Sequence, residues 1–161
     1  MPARNIVNSG IGLTDEARRK VADMLNHLLA DEFVLYAKTR GFHWNVVGPH
    51  FGPLHALFES QYEALDETID EVAERARALD GRAAGSLGEF MQLTRLKEAS
   101  GALSDTQMIA ALLADHEALV RVLRGAAAFA GELGDAGSED FLVGLIERHE
   151  KTAWMLRAHL A

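Results

Sequence analysis

Apolar residues recur every three or four positions along most of the chain, which is the spacing of one face of an amphipathic α-helix. Proline, the strongest helix breaker, occurs only at Pro2, Pro49 and Pro53. Four long stretches are therefore free to form helices. They span residues 15–41, 54–79, 104–130 and 138–159. Four amphipathic helices predict an all-α fold, arranged as a four-helix bundle.

The connections between the four predicted helices differ in length. Residues 80–101 are numerous enough to cross the whole bundle, whereas the joints after the first and third helices are short. Inside the long connection, the sequence SLGEFMQL predicts a short extra helix, with Ser86 as its cap and Glu89 as the capping-box partner. The sequence HWNVVGPHFGP, with its two Gly-Pro steps, predicts a loop after the first helix, which places His43 just beyond that helix.

Length and composition indicate one domain, for which we predict residues 14–161, preceded by a flexible tail at residues 1–13. The chain contains no cysteine, so metal ligands must be oxygen or nitrogen atoms. The net charge of -8 favours cations over phosphates as partners. No apolar run is long enough for a signal peptide or a membrane span, so we expect a cytoplasmic protein.

Candidate metal ligands lie on the second predicted helix. His55 and Glu59 are four residues apart, as are Asp70 and Glu74, so each pair projects from one face. At about 100° per residue, all four positions fall within an arc of roughly 100° that flanks the apolar face. An isolated subunit would leave these side chains half buried at best, which indicates that a partner surface covers them.

The two pairs cannot bind the same metal ion within one chain. Fifteen residues separate His55 from Asp70, which is about 22 Å along a helix, far beyond the ~2 Å length of a metal-ligand bond. Two antiparallel copies of the helix about a two-fold axis would bring opposite pairs together twice, giving two equivalent sites. His43 could add a second imidazole to each site. Such a ligand set suits Fe(II), while Zn, Mn or Co could occupy the same site.

A simpler explanation of the acidic residues stays open on spacing alone. Carboxylate pairs four residues apart arise by chance on any acidic, solvated helix face. Glu63 and Asp66 share the same arc equally well.

Residues 42–81, FHWNVVGPHFGPLHALFESQYEALDETIDEVAERARALDG, resemble the signature of the Dps miniferritins. The resemblance rests on HWN, a histidine twelve residues later, an acid four residues after that, and the run DEVAER. It implies a ferritin-like four-helix bundle with one long crossover carrying a short extra helix. It also implies ferroxidase ligands from two subunits, with many members having Asp where Glu59 stands. Those ligands would be His43, His55 and Glu59 of one subunit and Asp70 and Glu74 of its two-fold mate.

By the same resemblance, the subunit would assemble into a hollow dodecamer. It would oxidise Fe(II) with hydrogen peroxide or, more slowly, with O2, and mineralise Fe(III) inside, protecting the cell from oxidative damage. Asp135, Glu139 and Asp140 resemble the acidic region that lines the pores through which iron enters. Acids near a helix start also complement the helix dipole, which is an equally good explanation of these three.

Several other polar or aromatic residues have less specific interpretations. His116 and His149 fall on apolar stripes, where a hydrogen-bonded core histidine is the usual role. Trp44 and Trp154 could pack near the iron site, as the resemblance implies for the HWN tryptophan, or simply in the core or an interface. Glu32 interrupts the apolar stripe of the first helix, and the sequence selects no role for it.

Three other functions compete with this interpretation. A larger ferritin would use Glu-x-x-His pairs inside one bundle, and this sequence contains none. The protein could act primarily in the nucleoid as a DNA-binding protection protein, with iron binding secondary. However, residues 1–13 hold one Arg and no Lys, so we expect weak DNA binding or none. A purely structural helical module would consume no peroxide in the presence of iron.

Overall fold

The computed structural model of the chain describes residues 9–99 and 101–161, and all of the regular secondary structure in those ranges is helical. The five helices are α1 (Asp15–Asn45), α2 (Phe51–Ala78), α3 (Leu87–Leu93), α4 (Asp105–Glu132) and α5 (Ala136–Ala158). The predicted four-helix bundle with a short extra helix in the crossover is confirmed. Of the predicted tail, residues 1–8 lie outside the described residues, and residues 9–13 form no helix.

Helix α1 begins as predicted but ends later than predicted. The hydroxyl of Thr14 accepts a hydrogen bond from the backbone N–H of Ala17 at 3.1 Å, which caps the first turn. The helix continues past Gly41 because Phe42 and His43 on the next turn are buried against the core. It ends where Val46 turns extended, so the placement of His43 beyond the helix was wrong.

The loop between α1 and α2 is shorter than the predicted residues 43–53. It spans residues 46–50, with Gly48 in the left-handed region at a φ of 111°. Pro53 lies inside the first turn of α2, where the N–H that proline lacks would have no helical acceptor. The two Gly-Pro steps therefore mark a tight turn and a helix start rather than a long loop.

The bundle consists of two helical hairpins, since α1 packs mainly on α2 and α4 mainly on α5. Large apolar side chains from these four helices and the residue that follows α2 fill the space between them. Among the largest fully buried ones are Leu25, Leu28, Leu29, Leu35, Leu54, Phe58, Leu79, Leu112, Leu119, Leu123, Leu142 and Leu145. Among the described residues, no helix is long and apolar enough to cross a membrane.

The crossover leaves α2 through a sharp turn and then packs along α1. Gly81 is required in that turn, because a Cβ atom there would lie 2.5 Å from the Cβ of Ala22. Ser86 caps α3 as predicted, accepting from the N–H of Glu89. The predicted capping box is shifted by one residue, since Glu89 accepts from the N–H of Gly85 and the hydroxyl of Ser86.

A buried carboxylate on α1 fastens the end of the crossover. Asp31 is fully buried and accepts hydrogen bonds from the Thr94 hydroxyl at 3.0 Å and from the Arg95 backbone N–H at 2.6 Å. It also forms an ion pair with the Arg95 guanidinium at 2.5 Å. Nearby, Phe33 stacks on Phe90 of α3 with ring centroids 4.4 Å apart. These contacts fix the crossover against the first hairpin.

The second hairpin is capped by side chains at both of its helix starts. Ser104 and Gln107 form a reciprocal capping box at α4. Helix α5 begins at Ala136, two residues before the predicted start, because the Asp135 carboxylate caps it by accepting from the N–H of Ser138 at 3.0 Å.

Candidate metal centre

His43 and His55 lie face to face where the α1–α2 hairpin closes. Their rings are stacked, with centroids 3.7 Å apart and an angle of 21° between the planes. His43 occupies the last turn of α1 and is buried, whereas His55 occupies the second turn of α2 and is half buried. The hairpin therefore brings together two imidazoles that are twelve residues apart in sequence.

Each histidine of the pair is held by the backbone of the other. Nδ1 of His43 lies 2.8 Å from the carbonyl oxygen of His55, and Nδ1 of His55 lies 2.9 Å from the carbonyl oxygen of His43. Because a carbonyl oxygen can only accept, both Nδ1 atoms must carry the proton. In the neutral rings the lone pair is then on Nε2, so both Nε2 atoms are available as metal ligands.

Glu59 lies one turn beyond His55 on the same face and is exposed. Its carboxylate accepts a hydrogen bond from the Tyr62 hydroxyl at 3.4 Å. Desolvation raises the pKa of Tyr62, and the negative charge of Glu59 adds to the rise. The guanidinium carbon of Arg40 lies 4.7 Å from the centre of the Tyr62 ring. Tyr62 and Arg40 were not predicted as part of this site, although Tyr62 follows Glu59 by three residues and so shares its face.

Asp70 and Glu74 lie far from the histidine pair on the same helix. Helix α2 is continuous, so the fifteen residues from His55 to Asp70 correspond to about 22 Å. Both carboxylates are exposed, and across residues 9–99 and 101–161 neither has an ion-pair partner. Within that part of the chain no three His, Asp or Glu side chains converge to hold a metal ion. One subunit thus provides two separate groups of ligands.

Comparisons with known proteins show the family of this chain. The family model of the ferritin-like domain matches residues 22–161. The chain is 35% identical to DNA protection during starvation protein 2 of Bacillus anthracis, over 88% of this chain and 97% of the relative. The chain belongs to the Dps family of ferritin-like proteins. It is also 51% identical to an uncharacterised low temperature-induced protein of Nostoc, over 93% of this chain and 85% of that one.

Solved Dps structures superpose closely on this Dps-family chain. The Dps protein of Vibrio cholerae matches with a TM-score of 0.92 and 36% identity, covering 96% of this chain and 97% of that one. It is described as a member of a broad superfamily of ferritin-like diiron-carboxylate proteins. The Dps of Thermosynechococcus elongatus matches with a TM-score of 0.86 and 34% identity, covering 88% and 90% of the two chains.

The acids suggested to line a pore in this Dps-family chain occupy two different environments. Asp135 is buried, and it accepts hydrogen bonds from the Ser138 hydroxyl at 2.6 Å and from Arg75 at 2.8 Å. Its observed role is to cap α5 and to join that helix to α2. Glu139 and Asp140 are exposed on the first turns of α5. A pore role for the three acids stays a prediction.

The other histidines and tryptophans for which the sequence suggested a role lie either in the core or on the surface. His116 and His149 are buried in the core and hydrogen-bonded to each other at 2.8 Å, as predicted. Glu32, for which the sequence selected no role, is the buried partner of His149 at 2.9 Å. Trp44 and Trp154 are more than 60% exposed on the subunit, so core packing was wrong for both. Packing in an interface stays a prediction.

Proposed function

We propose that the protein is a ferroxidase and iron-storage subunit, in which Fe(II) is the substrate and the site is completed by a second copy of the chain. His43, His55 and Glu59 of one subunit would bind iron together with Asp70 and Glu74 of its two-fold mate. Two such sites would form at each antiparallel contact between α2 helices.

The observation that supports this proposal best is the pair of reciprocal Nδ1 hydrogen bonds between His43 and His55. Two imidazoles held with Nε2 free and a carboxylate one turn away form half of a nitrogen and oxygen ligand set suited to iron. The exposed Asp70 and Glu74 have the charge and spacing of the other half. A purely solvated acidic face would give no reason for the stacked histidines.

In the proposed reaction, two Fe(II) ions give one electron each to one molecule of hydrogen peroxide. The peroxide takes up two protons and becomes two molecules of water, and the products are two Fe(III) ions. The carboxylates contribute negative charge that favours Fe(III) over Fe(II). O2 would serve as a slower oxidant. Removing Fe(II) and peroxide together would protect the cell from oxidative damage.

Storage follows from the assembly that we propose for this chain, a hollow dodecamer. Fe(III) released at the two-fold contacts would mineralise in the interior. Glu139 and Asp140, which are exposed on α5, would line the entry pore for Fe(II), with Asp135 fixing the start of that helix. Zn, Mn or Co could occupy the same ligands, since none of these metals is excluded by imidazole and carboxylate.

Stopped-flow measurement of Fe(II) oxidation tests the proposal, with peroxide and with air as oxidants. We expect the double variant Asp70→Ala and Glu74→Ala to lose at least about ten-fold in rate, because losing even the groups that hold metal ligands in place typically costs about 10- to 100-fold. The matched control is Glu67→Ala with Glu71→Ala, which has the same charge change and spacing on the same helix but lies outside the arc. Equal rates for wild type and the first variant would remove the proposed site.

A second candidate function is DNA protection, because relatives carry the name DNA protection during starvation protein. The net charge of -8 opposes direct contact with phosphates. We therefore propose a cytoplasmic protein, with nucleoid association only where metal ions bridge the charges. A gel shift at low salt, with and without Mg²⁺, distinguishes the two functions. Tight binding in the presence of chelator would refute the weak-binding expectation.

A further inference from the structure

A group of polar side chains lies inside the bundle, away from the proposed ferroxidase ligands. Glu32, Gln61, His116 and His149 come from α1, α2, α4 and α5, one from each long helix. All four are more than nine-tenths buried, with exposures of 0%, 7%, 2% and 4%. Burying polar groups is unfavourable unless they find partners, so the placement of these four requires an explanation.

Much of the hydrogen-bonding capacity of this group is unused. Within residues 9–99 and 101–161, four of its buried side-chain atoms have no hydrogen-bond partner: Oε2 of Glu32, Nε2 of His116, and both amide atoms of Gln61. Burying polar atoms without partners is unfavourable, and native structures usually satisfy them with a ligand or with ordered water. The group is therefore suited to hold something polar.

The hydrogen bonds that do form fix the state of His149. Its Nε2 lies 2.9 Å from Oε1 of Glu32, and its Nδ1 lies 2.8 Å from Nδ1 of His116. Because the carboxylate accepts, Nε2 of His149 carries a proton, and the neutral ring presents a lone pair at Nδ1. A carboxylate that holds the far side of an imidazole is the usual arrangement behind a metal-binding histidine.

The two facing Nδ1 atoms are close to the separation that one metal ion requires. Zn–N bonds are about 2.0–2.1 Å long, so two imidazoles on one tetrahedral ion have nitrogens about 3.3 Å apart. The observed 2.8 Å would have to widen by about 0.5 Å, and the two rings, which point at each other with centroids 5.0 Å apart, would have to turn so that both lone pairs meet at the ion. The proton that Nδ1 of His116 donates to His149 would move to Nε2 of His116. Burial and the neighbouring His149 lower the pKa of His116 well below its usual range, which keeps that ring neutral and able to coordinate.

An open path connects this group to solvent. A groove of about 300 Å³ runs between α2 and α5, and Gln61, His116 and His149 line it. Arg148 stands at the same groove, where its charge is balanced by an ion pair with Glu71 at 2.6 Å. A hydrated ion could therefore enter without unfolding the bundle, and water from the groove could supply the remaining ligands.

We propose that each subunit binds a single divalent transition-metal ion inside its bundle, between Nδ1 of His116 and Nδ1 of His149. Glu32 orients His149, and the Gln61 amide oxygen is the acceptor that the groove offers to Nε2–H of His116. Because His116 lies on α4 and His149 on α5, the ion would join these two helices, which is a structural role. This site is separate from the proposed ferroxidase ligands and does not depend on them.

Crystals of the assembled protein soaked in Zn²⁺ test this directly. Diffraction data on both sides of the zinc absorption edge should show an anomalous peak within about 2.3 Å of both Nδ1 atoms. Anomalous peaks confined to His55, Glu59 or the acids of α2 would overturn the proposal. So would electron density showing the two imidazoles still directly hydrogen-bonded in the presence of zinc.

Equilibrium dialysis separates this site from the ferroxidase site in solution. The triple variant His55→Ala, Asp70→Ala and Glu74→Ala, which lacks ligands from both halves of the ferroxidase site, should retain one tightly bound Zn²⁺ per subunit. Adding His116→Phe, or separately His149→Leu in case the first does not fold, should remove that ion. His159→Ala, a histidine at the exposed end of α5, is the matched control and should keep it. Retention of zinc without His116 would refute the site even if the ferroxidase is confirmed.

Discussion

Mixing two inactive variants provides a quantitative test of the shared site. His55→Ala removes a ligand from one end of α2, and Asp70→Ala with Glu74→Ala removes both ligands from the other end. Each variant alone should be inactive, because every two-fold contact then has two defective sites. In a contact between the two variants, one site lacks both the histidine and the two acids, whereas the other site has all of its ligands. The complete site contains His55 from the double variant and the acids from the His55→Ala chain.

The expected recovery follows from this symmetry. When equal amounts are dissociated and reassembled at random, half of the contacts join unlike chains, and half of the sites in those contacts are complete. About a quarter of the wild-type rate of Fe(II) oxidation should therefore return. The assay is stopped-flow oxidation at a fixed iron-to-subunit ratio, with each variant reassembled alone as the control. The absence of any recovery in assembled mixtures would refute a site that requires ligands from two chains.

Three further predictions concern stability, measured on metal-free protein at fixed concentration. Asp31→Ala should lower the unfolding free energy by about 2–4 kcal/mol, because it leaves the partly exposed Arg95 without its ion-pair partner. The surface change Glu117→Ala should lower the unfolding free energy by less than about 0.5 kcal/mol, and equal effects of the two changes would contradict this prediction. Ser104→Ala should cost about 1 kcal/mol by loss of the α4 cap, and Ser104→Asp should restore it, as thermal unfolding would show. The pKa of His116 is lowered in the folded protein, so the unfolded state takes up a proton first as the pH falls. The unfolding free energy should therefore decrease below about pH 6.5, by up to about 1.4 kcal/mol per pH unit. Denaturant titrations from pH 5 to 7 should show a smaller decrease for His116→Phe.

The fold was predictable because local signals along the chain agree with one another. Helical periodicity, the scarcity of proline and the cap at Thr14 all agree with the same helices. The largest boundary errors lie at Gly41 and Pro53. Helix α1 continues past Gly41 because the next turn packs on the core, and α2 includes Pro53 because the first turn of a helix tolerates proline. The residue types near a helix end do not show whether the next turn will be buried against the core.

The candidate site was predictable only in its ligand types and spacing. The face-to-face packing of His43 and His55 depends on how tightly the α1–α2 hairpin turns, which sequence spacing does not give. Glu32, His116 and His149 are separated by up to 117 positions, so no local pattern could connect them. Their interruption of otherwise apolar stripes was visible, but their association arises only from the packing of α1, α4 and α5.

The reciprocal bonds between His43 and His55 have a consequence for the order of assembly. Because backbone carbonyls of the same hairpin hold both rings, their orientation is set when a single chain folds, before any partner arrives. In a newly folded subunit both imidazoles would already have the orientation needed to bind iron. Association of two subunits would then only add the carboxylates of the partner. The chemistry could then begin as soon as two chains dock, without a slow rearrangement of the pocket.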